Sequence, residues 1–248
     1  MLVSTMTPVE INREIKNDKT VVFQCIQRVF NEYDRERRKF KIAKEKEYIR
    51  FYEIKSRKKN NWIFMLNKRQ SNKKYSGIDS VALECLTYHY SAKGLQVFSV
   101  SQTDDWIHVY NGHFFKRYNE RMNLGINNPL DVVKRFFCNN EGSDGIKTPM
   151  DGRDFGISVC RDGFQLMEIR DQIKWTVYNT FITRDLAGDD QHQIEDHIIQ
   201  KIQCELENDL NRKDNLDYIQ QTKANLMKDI EAQRKMELDM AIRSLRNQ

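Results

Sequence analysis

The sequence has only 3 prolines and 10 glycines in 248 residues, which argues against long disordered linkers. No stretch approaches the ~20 consecutive apolar residues that a membrane-spanning helix needs. The opening MLVSTMTPVEINREIKNDK has no apolar run of the kind found in secretory signals. The five cysteines (Cys25, Cys85, Cys138, Cys160, Cys204) are scattered, odd in number and never form CxxC. That usage predicts reduced thiols in a cytoplasmic protein, and none sits in a recognisable nucleophile context. The histidines lack metal spacing. His192 and His197 are five apart, and the acids Asp144, Asp151 and Asp154 do not have the spacing of a calcium loop. Neither GxxxxGK[ST] nor GxGxxG occurs, so a P-loop motor or a dinucleotide enzyme is not expected. No metal and no cofactor is predicted.

Charge is present in quantity and is unevenly placed. From Arg35 to Lys74 there are 16 Lys/Arg against 4 Asp/Glu, a net of +12. From Asp185 to Gln248 the balance is 9 against 14, a net of −5. Concentrated positive charge raises the local density of phosphates and speeds their encounter. The basic stretch is therefore predicted to meet nucleic acid through Arg50, Lys55, Arg57, Lys58, Lys59, Lys68, Arg69, Lys73 and Lys74. The plain alternative is a solvated helix and loops. Trp62, Tyr75, Tyr88 and Tyr90 lie in or near this half. Aromatic side chains there either stack on bases or belong to the core.

The hydrophobic pattern divides the chain into an N-terminal helical segment (1–47), an α+β core (48–186) and a helical C-terminal arm (187–248). Phe23, Ile26, Phe30, Tyr33 and Phe40 recur at helical spacing and predict one helix from Lys19 to Lys46. YIRFYEI and NWIFML follow as a hairpin across a lysine-rich turn, then VALECLTYHY, GLQVFSV and DWIHVY. GHFFKRYNERMNL and NPLDVVKRFFCNN make a helix pair, the second with Asn128 as cap and Pro129 in its first turn. NNEGSDGIKTPMDGRD reads as a loop. FGISVC, FQLMEI and KWTVYNTFIT complete the strands, the first two joined across Asp162-Gly163, a strong hairpin signal. Ile194, Ile198, Ile202, Leu206 and Leu210 continue as a helix, with Asn211–Asn215 as a break. The expected class is α+β: a mostly antiparallel sheet with an N-terminal helix, a central helix pair and a long helical C-terminal region. That last region would pack on its own domain, self-associate, hold a protein partner or cover a site in cis.

The segment from His113 to Met122 carries the most chemistry. At ~100° per residue, His113, Arg117, Glu120 and Arg121 share one side of a helix, while Phe115, Tyr118 and Met122 share the other. The apolar side docks on the sheet. The polar side presents an imidazole able to move a proton, two guanidiniums shaped for a phosphate, and a carboxylate. The Asn111-Gly112 entry puts His113 at the helix start, where backbone N–H groups face an anion. An exposed face held by Glu–Arg pairs is the plain alternative.

A histidine opening a helix as HxxxRxxER, a second helix of the LDVVKRF type and a β-meander ending in a Thr-bearing strand together resemble the RelE/BrnT-like toxin ribonucleases. These belong to the barnase–EndoU–colicin–RelE nuclease group. The resemblance spans Trp106 to Arg184. It implies a metal-independent endoribonuclease with His113, Arg117, Glu120 and Arg121 as its helical signature and Thr183 as the late-strand polar residue, Thr180 competing. In departure from that group, five strands precede the helix here and the loop Glu141–Asp154 is long. The alternative is a non-catalytic nucleic-acid-binding or assembly protein of a virus or mobile element.

Overall fold

The computed structural model describes residues 1–40, 47–69, 81–92, 94–103, 105–140, 144–150 and 153–210. Lys73 and Lys74, Tyr75 and the Asn211–Asn215 break lie outside them. Residues Met1–Glu195 form one compact unit and Asp196–Gln248 a second.

The first unit is α+β, with helices on both faces of a nine-stranded mixed sheet. Helix α1 (Pro8–Phe23) opens on a reciprocal cap: Glu10 N–H donates to Thr7 Oγ1 (3.4 Å) and Thr7 N–H to Glu10 Oε2 (2.7 Å), with Pro8 in the first turn. Helix α2 (Ile26–Phe40) follows after a break at Gln24-Cys25. The single helix expected from Lys19 to Lys46 is thus two, and the apolar stripe runs through the break as Ile11, Ile15, Val22, Val29 and Tyr33.

Strands β1 (Glu47–Lys55), β2 (Asn61–Arg69), β3 (Val81–Ser91), β4 (Gly94–Val100) and β5 (Ile107–Tyr110) form an antiparallel meander. The chain then leaves the sheet through α3 (Gly112–Arg121) and α4 (Pro129–Asn139). It re-enters at the far edge as β6 (Asp144–Met150), β7 (Arg153–Cys160) and β8 (Gly163–Arg170), returning to the middle as β9 (Trp175–Thr183). The order is β1-β2-β3-β4-β5-β9-β8-β7-β6, antiparallel throughout except that β5 and β9 run parallel. Helix α5 (Asp189–Leu210) comes last.

Helices on both faces explain why β2 is apolar without alternation: Trp62, Ile63, Phe64, Met65 and Leu66 are all buried. Trp62, Phe64 and Leu66 join α1 and α2 in one core, with Phe98, Val109 and Trp175. Ile63, Met65, Leu86, Val97, Tyr110, Tyr178 and Phe181 join α3 and α4 in the other. Trp62 therefore belongs to the core and stacks on no ligand.

The segment expected as a loop around Gly145–Pro149 is the edge strand β6. Pro149 is tolerated because an edge strand needs no inward N–H there. Gly145 and Gly156 make room for Met167, since a Cβ at either would fall 2.8 Å or 2.6 Å from Met167 Cε. The Arg161-Asp162 turn between β7 and β8 is clamped to the helix pair. Asp162 accepts from Tyr118 OH (2.6 Å) and Asn140 Nδ2 (2.9 Å), and its own N–H donates to Asn140 Oδ1 (2.9 Å). Among the described residues no helix is long and apolar enough to cross a membrane.

Candidate nucleic-acid interface

The basic hairpin folds around a tight turn. Lys59 N–H donates to Ser56 O (2.9 Å) and Ser56 N–H to Asn60 O (3.0 Å), which puts Lys59 in the left-handed region at φ 63°. A non-glycine residue pays for that conformation in steric strain. The turn is fastened beneath by Asn60 and Trp62, both donating to the buried Asp18 carboxylate of α1 at 2.8 Å. Lys55, Arg57, Lys58 and Lys59 are exposed here. Lys58 also reaches Glu14 at 3.1 Å.

The other basic residues of the set that are described, Arg50, Lys68 and Arg69, go elsewhere. Arg50 is half-buried over the Tyr48 ring (4.2 Å) and 3.8 Å from Glu36, so it serves the packing of α2 on β1. Lys68 and Arg69 pair with Tyr48 and Glu47, at the opposite end of the hairpin. Lys55 stands seven positions beyond Tyr48 on β1, so the two ends lie roughly 23 Å apart at the usual strand rise.

The turn and α3 share one end of the sheet. Lys55 pairs with Asn61, Asn61 with Tyr88, Tyr88 with Val97, Val97 with Tyr110, and Tyr110 with Tyr178. At ~4.8 Å per strand, this row spans roughly 19 Å from Lys55 to Tyr110. Helix α3 begins immediately beyond Tyr110. A Cβ on Gly94, in the β3–β4 turn, would stand 3.7 Å from Gly112 Cα. Between the two ends of the row lies Tyr90, 58% exposed, edge-on to Tyr88 at 6.3 Å.

Helix α3 divides its faces as its spacing predicts, except at Arg121. Phe114, Phe115 and Tyr118 are buried, and His113, Arg117 and Glu120 are exposed. Asn111 caps the helix, its Oδ1 accepting from Phe114 N–H at 2.9 Å. Arg117 Nε donates to His113 Nε2 (3.4 Å) and its Nη1 to Glu120 Oε2 (3.2 Å), while Lys116 stands 3.8 Å from Glu120. With Nε2 accepting, the ring proton of a neutral His113 is on Nδ1. Arg121 turns inward and donates to the Phe181 carbonyl of β9.

The pairing of β5 with β9 ends at Tyr178, so the edge of β9 from Asn179 onward faces α3. Asn111 Nδ2 donates to Asn179 Oδ1 there (3.2 Å). Thr183 is at the end of the same strand but is buried, its Oγ1 without a hydrogen-bond partner. Thr180 is half-buried. His113, Arg117 and Glu120 are thus one exposed group, while Arg121, expected beside them, is tied to β9, and Thr183 does not share their face.

One polar constellation has no counterpart in the sequence reading. Glu84, Ser99, His108, Tyr178 and Gln165 line a cleft of about 480 Å³. Ser99 donates to Glu84, and His108 Nδ1 lies 3.2 Å from Tyr178 OH. Its sequence signal was a polar residue at an inward position of each strand, as in LECLTY, VFSV and IHVY. No lysine or arginine lines it among the described residues, so it does not suit a phosphate. Burial pushes the Cys160 thiol up to about 11 and the Cys85 thiol well above its ordinary range, which suits neither to thiolate chemistry. Among the described residues, no three His, Cys, Asp or Glu side chains are grouped as metal ligands. No family model, curated protein or solved structure matches this chain.

Proposed function

We propose that this chain binds single-stranded RNA across the end of the sheet and cuts it beside α3. The support is the register row that puts the lysine-bearing turn, the Tyr88–Tyr90 pair and the start of α3 at the same end. Lys55, Arg57 and Lys59 neutralise phosphates, Tyr90 stacks on a base, and the backbone continues toward His113. A phosphate there displaces the Arg117–His113 hydrogen bond. His113 Nε2 then takes the proton of the adjacent 2′-hydroxyl as the 2′-oxygen bonds to phosphorus and the bond to the 5′-oxygen breaks. The same imidazole returns the proton to that leaving oxygen. Arg117 stabilises the charge on the phosphoryl oxygens, with Glu120 holding its guanidinium in place. Arg121, tied to β9, fixes where the helix stands against the strand.

A second reading is binding without cleavage. It is favoured by the mutual bonding of His113, Arg117 and Glu120, which satisfies these groups without any ligand. One assay separates the two: labelled single-stranded RNA in EDTA, wild type beside His113→Ala. The first reading expects salt-sensitive binding by both proteins and cutting only by the wild type. Binding without cutting by the wild type establishes the second. No binding at low salt defeats both.

A further inference from the structure

We infer that a cleft beside the lysine-bearing turn accepts one nucleobase and favours a base carrying an exocyclic amino group over uracil. This rests on the RNA-binding reading above and names what that surface would select. The cleft, about 270 Å³, is lined by Leu2, Ser4, Lys59, Asn60, His89 and Tyr90 among others. It is smaller than the pockets that hold drug-sized ligands, and of a size for one base.

Its chemistry is set by His89. This imidazole is 7% exposed and stacks on Phe98, ring centres 5.8 Å apart and planes within 13°. Its Nε2 lies 2.9 Å from Gln96 Oε1. A carboxamide oxygen only accepts, so Nε2 carries the ring hydrogen and Nδ1 presents a lone pair. That Nδ1 is buried and has no hydrogen-bond partner. A buried acceptor left unpaired is costly, so a ligand that brings an N–H to it is rewarded. Asn60 cannot supply one, because its amide hydrogens go to Glu14 (3.2 Å) and Asp18 (2.8 Å).

Cytosine and uracil differ at position 4, an amino donor in one and a carbonyl acceptor in the other. Uracil's ring N–H is flanked by two carbonyl oxygens that would meet the Nδ1 lone pair unfavourably. The rim completes the recognition. Lys59, held in its left-handed conformation, offers the ammonium for the adjoining phosphate, and exposed Tyr90 offers a stacking face. No carboxylate lines the cleft among the described residues.

The test is fluorescence anisotropy of the full chain with nine-residue oligocytidylate and oligouridylate at fixed low salt. The wild type is expected to bind oligocytidylate tighter by roughly tenfold, the effect of one acceptor paired or left unpaired. His89→Phe keeps a ring against Phe98. It is expected to bring oligocytidylate down to the oligouridylate value without changing the latter or the salt dependence. Tyr90→Ala, at an exposed site, is expected to weaken both oligomers alike and leave their ratio standing. Equal binding of the two by the wild type, or preference for oligouridylate, overturns the base pocket while leaving RNA binding intact. Absence of binding by either oligomer overturns the underlying reading as well.

Discussion

Asp18 offers the sharpest test of how the basic turn is held. Its side chain is 2% exposed, and its Oδ2 accepts from Asn60 Nδ2 and Trp62 Nε1, each at 2.8 Å. Hydrogen bonds to a charged group contribute about 1.5–3 kcal/mol each, and leaving a buried donor unpaired costs about 1–3 kcal/mol. Asp18→Ala removes both bonds. It leaves the Trp62 indole N–H without its acceptor, whereas Asn60 keeps a weaker bond to Glu14 at 3.2 Å. Part of the loss is returned, because a buried carboxylate no longer has to be stripped of water. The balance is a destabilisation of about 3 kcal/mol. Asp18→Asn keeps one carbonyl acceptor but brings an amide against two donors, so about half that loss is expected. Urea unfolding followed by tryptophan fluorescence reads both, since Trp62 reports on the site itself. A loss under about 1 kcal/mol for Asp18→Ala would refute the reasoning, because the three groups could not then form the clamp described.

Three further outcomes are expected. Phe136 has the rings of Tyr118, Phe114 and Phe137 at 5.0, 5.1 and 5.2 Å, so Phe136→Ala should cost about 3–5 kcal/mol in urea unfolding. The N-terminal ammonium, 2.8 Å from Glu14, is the main cause holding that carboxyl at about 2 against an ordinary 4.5. Its stabilisation is therefore full above pH 4.5 and lost as pH falls toward 2, so the advantage of wild type over Glu14→Gln in urea midpoint should shrink across that window. Lys59→Gly relieves the left-handed strain at φ 63° but removes the phosphate contact proposed above. It should leave the unfolding midpoint no lower, weaken RNA binding and flatten the salt dependence by about one unit of slope.

Much of the core was legible from the sequence. Period-two and aromatic runs placed eight of the nine strands, Asp-Gly placed the β7–β8 turn, and helical spacing placed the faces of α3 except at Arg121, because those patterns report burial directly. Strand β6 was not readable, since its Gly145 and Pro149 mark loops unless an edge position and the neighbouring Met167 are known. Helix α1 carries a Thr7-Pro8-Val9-Glu10 capping signal, but ahead of Val22 its buried face is only Ile11, Ile15 and the polar Asp18, too sparse a stripe to show a helix starting before Lys19. Nine basic residues were expected on one surface. Strand register separates those that are described, keeping Lys55, Arg57, Lys58 and Lys59 at the turn while Lys68 and Arg69 go to the far end. That the turn and α3 share one end of the sheet depends on four successive strand pairings, which no local pattern encodes. The Glu84–Ser99–His108–Tyr178 cleft was missed for the same reason, as its members come from four different strands.

The parallel join of β5 to β9 sets a timetable for the newly made chain. Val109 must wait for Val177, its partner 68 positions later, before the two meanders fuse. At synthesis rates of about 5–20 residues per second, that interval is on the order of 3–14 seconds. Until it closes, the first five strands present an open flank to the cell. A nascent product stalled between Tyr110 and Thr183 would therefore be the species most in need of a chaperone.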